Sequence, residues 1–190
     1  MSNRIRCRIT SVVLAAALAC GAELAMAGAK ADKAGAAKPV SLLNLTANVP
    51  ANWEASPPSS GFRLAQFKTP GSPGAPGADM IVYYFGQGQG GDVASNIARW
   101  ESQFTSAEGK PVKAMVEKFK AGGLPVTTAE LAGTYDSQGM GTAAGPTPDQ
   151  ALVAAIVETP KGNITFQLKG PKAAVTANKS ALLTVIKGLK

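Results

Sequence analysis

The run Gly86-Gln87-Gly88-Gln89-Gly90-Gly91 sets glycines in the G-x-G-x-x-G spacing. That pattern lets a strand-to-helix turn bring its backbone against a pyrophosphate at a helix N-terminus. Two features oppose a dinucleotide cradle. Asp92 puts a carboxylate where the phosphates would lie. The preceding strand also belongs to an antiparallel layout, as set out below. The segment therefore reads as a flexible glycine turn, with Asp92 capping the helix that follows.

The acids nearest the loops are Asp79, Asp92, Glu101, Glu108, Asp136 and Asp149. A glycosidase needs two carboxylates flanking one bond, and local spacing pairs none of these. The oxygen-ligand spacing of an EF-hand is absent around Asp136 and Asp149. The chain has no His, which removes Ser-His-Asp and Cys-His catalytic groups and every His-containing zinc site. Its two Cys, Cys7 and Cys20, cannot make a four-thiolate site, and no Ser-x-x-Lys occurs after residue 27. The expectation is no catalytic residue, no cofactor and no metal ligand. Trp53, Tyr83, Tyr84, Phe85 and Trp100 could line an apolar pocket, but their alternation and helical spacing place them in the core. Asn96, Arg99 and Gln103 share the polar flank of a helix and are the weak candidates for a contact surface.

These residues need elements to hold them. Phe62 to Phe67 reads as a strand, and Gly- and Pro-rich Thr69 to Ala78 as a surface loop. Asp79 to Phe85 is a strand apolar on both alternating faces, so both faces should be covered. Val93, Ile97, Trp100 and Phe104 follow at helical spacing on one face. Val112 to Lys120 and Val126 to Tyr135 are β-like, joined by Gly122-Gly123-Leu124-Pro125. Asp136 to Asp149 is an aperiodic loop, long for a compact domain. Leu152 to Thr159 is a central strand, and Ile164, Phe166 and Leu168 alternate with Thr165, Gln167 and Lys169 in a half-exposed one. A closing helix after Pro171 carries Val175, Leu182, Val185, Ile186 and Leu189 on its apolar face. Hairpins with two helices, rather than regular β-α-β alternation, give an α+β fold: a mostly antiparallel sheet with helices packed on it.

The first 27 residues read as an address. Arg4, Arg6 and Arg8 precede the short apolar run Ile9 to Ala22, and Ala25-Met26-Ala27 is an A-x-A cleavage site, so a signal peptide ending at Ala27 is expected. Ala17-Leu18-Ala19-Cys20 competes as an imperfect lipobox, which would lipidate Cys20. Membrane anchoring follows only in that case, and no transmembrane span is expected in the mature form. The chain carries 19 basic and 12 acidic residues, a net +7. Three Arg and Glu23 leave with the signal. Lys30, Lys33, Lys38 and Asp32 lie in a small, polar tether, residues 28–39. The excess over residues 40–190 is then about +3 and interspersed, too little to point to nucleic acid.

Several residues are familiar as a set. They are Pro50-x-x-Trp53, Phe62-Arg63-x-Ala65-x-Phe67 and Val82-Tyr83-Tyr84-Phe85-Gly86. The helical run Gly90-Gly91-x-Val93-x-x-Asn96-Ile97-x-Arg99-Trp100-x-x-Gln103-Phe104 follows, then Lys169-Gly170-Pro171. Together they resemble a group of uncharacterised, secreted bacterial proteins similar to the PsbP-type α/β/α sandwich. The resemblance implies a non-catalytic domain that docks on a partner, and it carries over no functional residue. The expectation is thus a signal peptide, a tether and one α+β domain over residues 40–190. Its role would be an exported binding or accessory module, periplasmic or secreted, whose partner is an envelope protein or, alternatively, a small molecule. A carboxylate-based hydrolase is the remaining alternative.

Overall fold

The computed structural model describes residues 37–71, 74–137 and 145–190. The signal segment with Cys20 and Ala27, and the tether up to residue 36, lie outside the described residues. The described chain opens with a hairpin of strands β1, Lys38–Leu42, and β2, Leu45–Val49, in the register Leu42↔Leu45 to Lys38↔Val49. Strand β1 thus takes the last two residues expected in the tether. Leu42, Leu45, Ala47 and Val49 are buried, while Leu43 bulges outward in the left-handed region at φ 58°.

The main sheet holds eight antiparallel strands. They are β3 (Glu54–Ser56), β4 (Arg63–Lys68), β5 (Asp79–Tyr84), β6 (Phe104–Thr105), β7 (Met115–Ala121), β8 (Leu124–Tyr135), β9 (Thr147–Thr159) and β10 (Gly162–Pro171). The order is β3-β4-β5-β10-β9-β8-β6, with β7 also pairing to β8. Helix α1 spans Val93–Ser102 and helix α2 Lys172–Lys187. Strand β9 begins at Thr147, so the final residues of the expected 136–149 loop are strand. Phe104, expected on the helix, lies just beyond it in β6, and β7 begins three residues later than Val112.

The sheet is covered unequally on its two faces, and this asymmetry positions the site. On one face, α2, the β1–β2 hairpin and Trp53 bury Met80, Val82, Val153, Ala155, Val157, Ile164, Phe166 and Leu168. The C-terminus closes this layer: Thr46 donates its N–H to the Lys190 carbonyl at 2.8 Å. At its centre the Trp53 indole N–H donates to Asn178 Oδ1 at 3.3 Å. The Asn178 amide in turn donates to the carbonyls of Pro70 and Ala174. On the opposite face, among the described residues, the ten residues of α1 cover only the β8–β9 half, where Trp100 of α1 and Phe104 of β6 pack on Ala129, Leu131, Leu152, Ala154 and Ile156. Alternation makes β9 apolar on both sides, as a strand covered on both sides must be. The expectation that β5 is likewise covered on both faces is not met: Ile81 and Tyr83 are half-buried and look out from an open half-sheet.

Gly133 lets β6 join the sheet edge. A Cβ there would stand 2.2 Å from the Thr105 carbonyl oxygen, so only glycine allows Phe104 and Thr105 to pair with Tyr135 and Thr134. That pairing sets the Tyr135 ring 5.2 Å from Phe104 and turns the end of β8 toward the open face.

Candidate functional site

The strand register writes the floor of the open face. Asp79 pairs with Lys68 on one side and Lys169 on the other, and Lys169 pairs with Leu152. In the next row Ile81 lies between Gln66 and Gln167, and Gln167 pairs with Ala154. In the third, Tyr83 lies between Arg63 and Thr165. Apart from Ile81, the rows run from polar side chains on β4, β5 and β10 to apolar ones under α1. Where α1 ends its cover, the rows form a groove of about 500 Å³ lined by Arg63, Gln66, Tyr83, Tyr135, Gln167 and Lys169, with Asp79 and Ile81 at its base. A recess of about 200 Å³ continues it under α1, between Tyr83, Phe85, Trp100 and Tyr135 and the polar ends of Arg99, Gln103 and Lys169.

The aromatic wall is ordered. The Tyr83 and Phe85 rings lie parallel with centroids 5.9 Å apart, and Phe62, 56% exposed, stacks on Phe85 at 5.3 Å. Gly90, at φ 84°, allows the Phe85 ring to lie against the turn, since a Cβ there would come 2.9 Å from that ring. Trp53 and Trp100 are core residues as expected, but Tyr83 and Phe85 are half-exposed and line the groove.

The cations are held by neutral acceptors. Lys169 Nζ donates to the Tyr135 hydroxyl at 3.0 Å and lies 4.2 Å from the centre of that ring. Arg99 donates to Asn96 Oδ1. Arg63 donates to Gln66 Oε1 at 2.7 Å and stands over the Tyr83 ring. The ion pairs Lys68–Asp79, Lys113–Glu101 and Lys179–Glu130 involve none of these three cations. Asp79, the one carboxylate lining the groove among the described residues, is engaged by Lys68 at 3.0 Å.

Of the three sequence candidates, Arg99 and Gln103 come together in the recess. Asn96 does not join them. It is buried, at 6% exposure, where its amide donates to the carbonyls of Gly90 and Asp92 and its Oδ1 holds Arg99. Its place is inside the turn, as a positioning residue, because the α1 flank that carries it is folded over the glycine run. The turn itself is filled by its own chain. Asp92 accepts from the Ser95 backbone N–H at 2.7 Å and from the Ser95 hydroxyl at 3.0 Å. β5 is antiparallel to both neighbours, which a dinucleotide-binding βαβ unit does not allow.

Glu101, Glu108 and Asp92 are engaged singly. Glu101 is held below the usual carboxylate range by the Lys113 ammonium and the Ala114 N–H, and Glu108 by the Ser106 hydroxyl. Asp92 is lowered by the Ser95 N–H, then by its hydroxyl. Each of these bonds favours the ionised form, the reverse of the raised pKa a general acid uses. Among the described residues no three His, Cys, Asp or Glu converge as a metal site, and no helix is long and apolar enough to cross a membrane. Arg63, Tyr135, Gln167 and Lys169 carry the groove and were not singled out by sequence. The alternation of Thr165, Gln167 and Lys169 was the available signal, since it marks the face of β10 turned away from the α2 layer.

No family model and no curated protein matches this chain. Among solved structures it is similar to the cyanobacterial PsbP (CyanoP) of Synechocystis sp. PCC 6803, with a TM-score of 0.53 and 14% identity. The match covers 82% of this chain and 92% of that one. It also matches PA94 of Pseudomonas aeruginosa, a protein of unknown function, with a TM-score of 0.46 and 16% identity, over 80% of this chain and 95% of that one. The chain has a PsbP-like α+β fold.

Proposed function

We propose that this protein is an exported, non-catalytic binding module of the cell envelope that holds its ligand in the groove between α1 and strands β5 and β10. One observation carries the reading: a concave, aromatic-walled face with three cations held by the neutral acceptors Gln66, Asn96 and Tyr135. Desolvating a cation without a counter-charge is costly, so the half-buried Arg63 and Lys169, with the exposed Arg99 at the edge of the recess, are poised to gain an anionic partner. The signal pattern of residues 1–27 supports export. The dispersed, individually bonded acids favour binding over a carboxylate-based hydrolase.

A small molecule suits the groove better than a protein partner does. A volume of about 500 Å³ lies within the range of small-ligand sites, and the recess beneath α1 admits nothing larger than a side chain or a small ring system. The test is a photo-crosslinking amino acid placed at Gln103, with Ser180 on the exposed flank of α2 as control, in cells of the native source. A discrete adduct at position 103 and none at 180 is expected. Adducts at 180 alone, or at neither position, would overturn the reading.

A further inference from the structure

We infer that the ligand is a small, flat aromatic anion, its ring seated along Tyr83 and Phe85 and its charge between Arg99 and Lys169. The inference rests on the binding reading above and assigns the chemical class. The recess is lined by two parallel rings 5.9 Å apart, by the Lys169 ammonium and by the Arg99 guanidinium. Parallel aromatic walls favour a planar guest, because offset stacking is worth about 0.5–1.5 kcal/mol beyond the area buried.

Both cations are set in place before any ligand arrives. Tyr135 holds Lys169 through its hydroxyl and ring, and Asn96, itself fixed by the Gly90 and Asp92 carbonyls, holds Arg99. These holders are neutral acceptors, so each cation keeps its full charge while losing the rotamer freedom that binding would otherwise cost. The amides of Gln103 and Gln167 supply further donors at the polar edge. Cations and rings lining one recess discriminate against two simpler guests. A neutral aromatic leaves the cations unpaired, and an aliphatic acid leaves the rings without a flat partner.

The test uses three probes of similar size: 2-naphthoate, 2-naphthamide and the saturated decahydro-2-naphthoate. Each is titrated into isotope-labelled protein and followed by NMR at Tyr83, Gln103, Gln167 and Lys169. The expected result is saturable shifts with 2-naphthoate, with affinity at least about tenfold above both other probes, weakening as salt rises. Lys169→Gln and Arg99→Gln should each lower that affinity about tenfold, while Lys179→Gln, whose partner is Glu130 on the other face, should leave it unchanged.

Equal affinity for the amide, or for the aliphatic acid, overturns the inference. So does the absence of groove shifts with all three probes. The two readings fail differently. If the Gln103 crosslink forms but 2-naphthoate is not preferred, the ligand class is wrong and the binding site stands. If the crosslink also fails, the binding reading falls with it.

Discussion

Replacing Asn178 by Ala removes the side chain through which α2 holds both Trp53 and the neck of the 69–78 loop. The Trp53 indole N–H, on a residue only 1% exposed, loses its acceptor and gains no water in exchange. A buried donor left unsatisfied costs about 1–3 kcal/mol. The Pro70 carbonyl loses a 3.1 Å bond, but the half-exposed Pro70 leaves it within reach of solvent, so its loss is nearer the net value of about 0.5–1.5 kcal/mol. Alanine returns about 0.5 kcal/mol of helix propensity. The balance is a destabilisation of about 2–3 kcal/mol, a fall of about 1–2 M in the urea midpoint at the m-value of a domain this size. Far-UV circular dichroism is the assay, because it does not depend on the tryptophan. A double-mutant cycle with Trp53→Phe isolates the bond. Once the indole donor is gone, Asn178→Ala should cost about 1 kcal/mol less. A loss under about 0.5 kcal/mol for Asn178→Ala alone, or strict additivity in the cycle, would refute the assignment of this pair as the polar anchor of the α2 layer.

Three other outcomes follow from the same structure. Gly133→Ala forces a Cβ onto the Thr105 carbonyl and should cost about 1–3 kcal/mol, read by hydrogen exchange as lost protection in β6 with the β9–β10 amides unchanged. Asp92, Glu101 and Glu108 have folded pKa values below their ordinary 3.8 or 4.5. Their stabilisation is therefore complete above those values and is lost as pH falls through the folded ones. The urea midpoint should stay level from neutral pH down to about 5 and drop below about 4.5, and a triple Asp92→Asn, Glu101→Gln, Glu108→Gln variant should flatten that drop. Intact-mass measurement of the mature protein should find Gly28 at the N-terminus in the soluble envelope fraction. A lipid-bearing Cys20 in the membrane fraction would replace a free module with an anchored one.

Most of the fold was legible because burial writes itself as periodicity. Ile164, Phe166 and Leu168 alternate since β10 has one covered face, and Leu152 to Val157 run apolar since β9 has two. The Asp92 cap could be read from its position before a helical pattern, and the turn's refusal of phosphate followed from the same residue. The β1–β2 hairpin was not marked, because Leu43 takes a positive φ where turn chemistry calls for Gly or Asn. The groove was only half legible. Arg99 and Gln103 could be placed on a polar helix flank, but whether that flank meets solvent or folds over a sheet depends on α1 being too short to cover β5. That is a matter of tertiary spacing, which no local pattern encodes. Asn96 shows the same limit: its sequence position matches the other two, yet the glycine turn closes over it. Tyr83 reads as core from its apolar neighbours, and becomes groove wall because helix α1 does not reach over its side of the sheet among the described residues.

Occupancy of the groove can be measured through Lys169. Its ammonium sits between the Tyr135 ring and the recess, whereas Lys161 lies exposed in the β9–β10 turn. Amine labelling read by mass spectrometry, in living cells of the native source and on the purified protein, compares the two lysines under identical chemistry. A groove that carries an anion in its natural setting predicts that Lys169 labels several-fold more slowly, relative to Lys161, in cells than when purified. An identical Lys169-to-Lys161 ratio in both settings would contradict it.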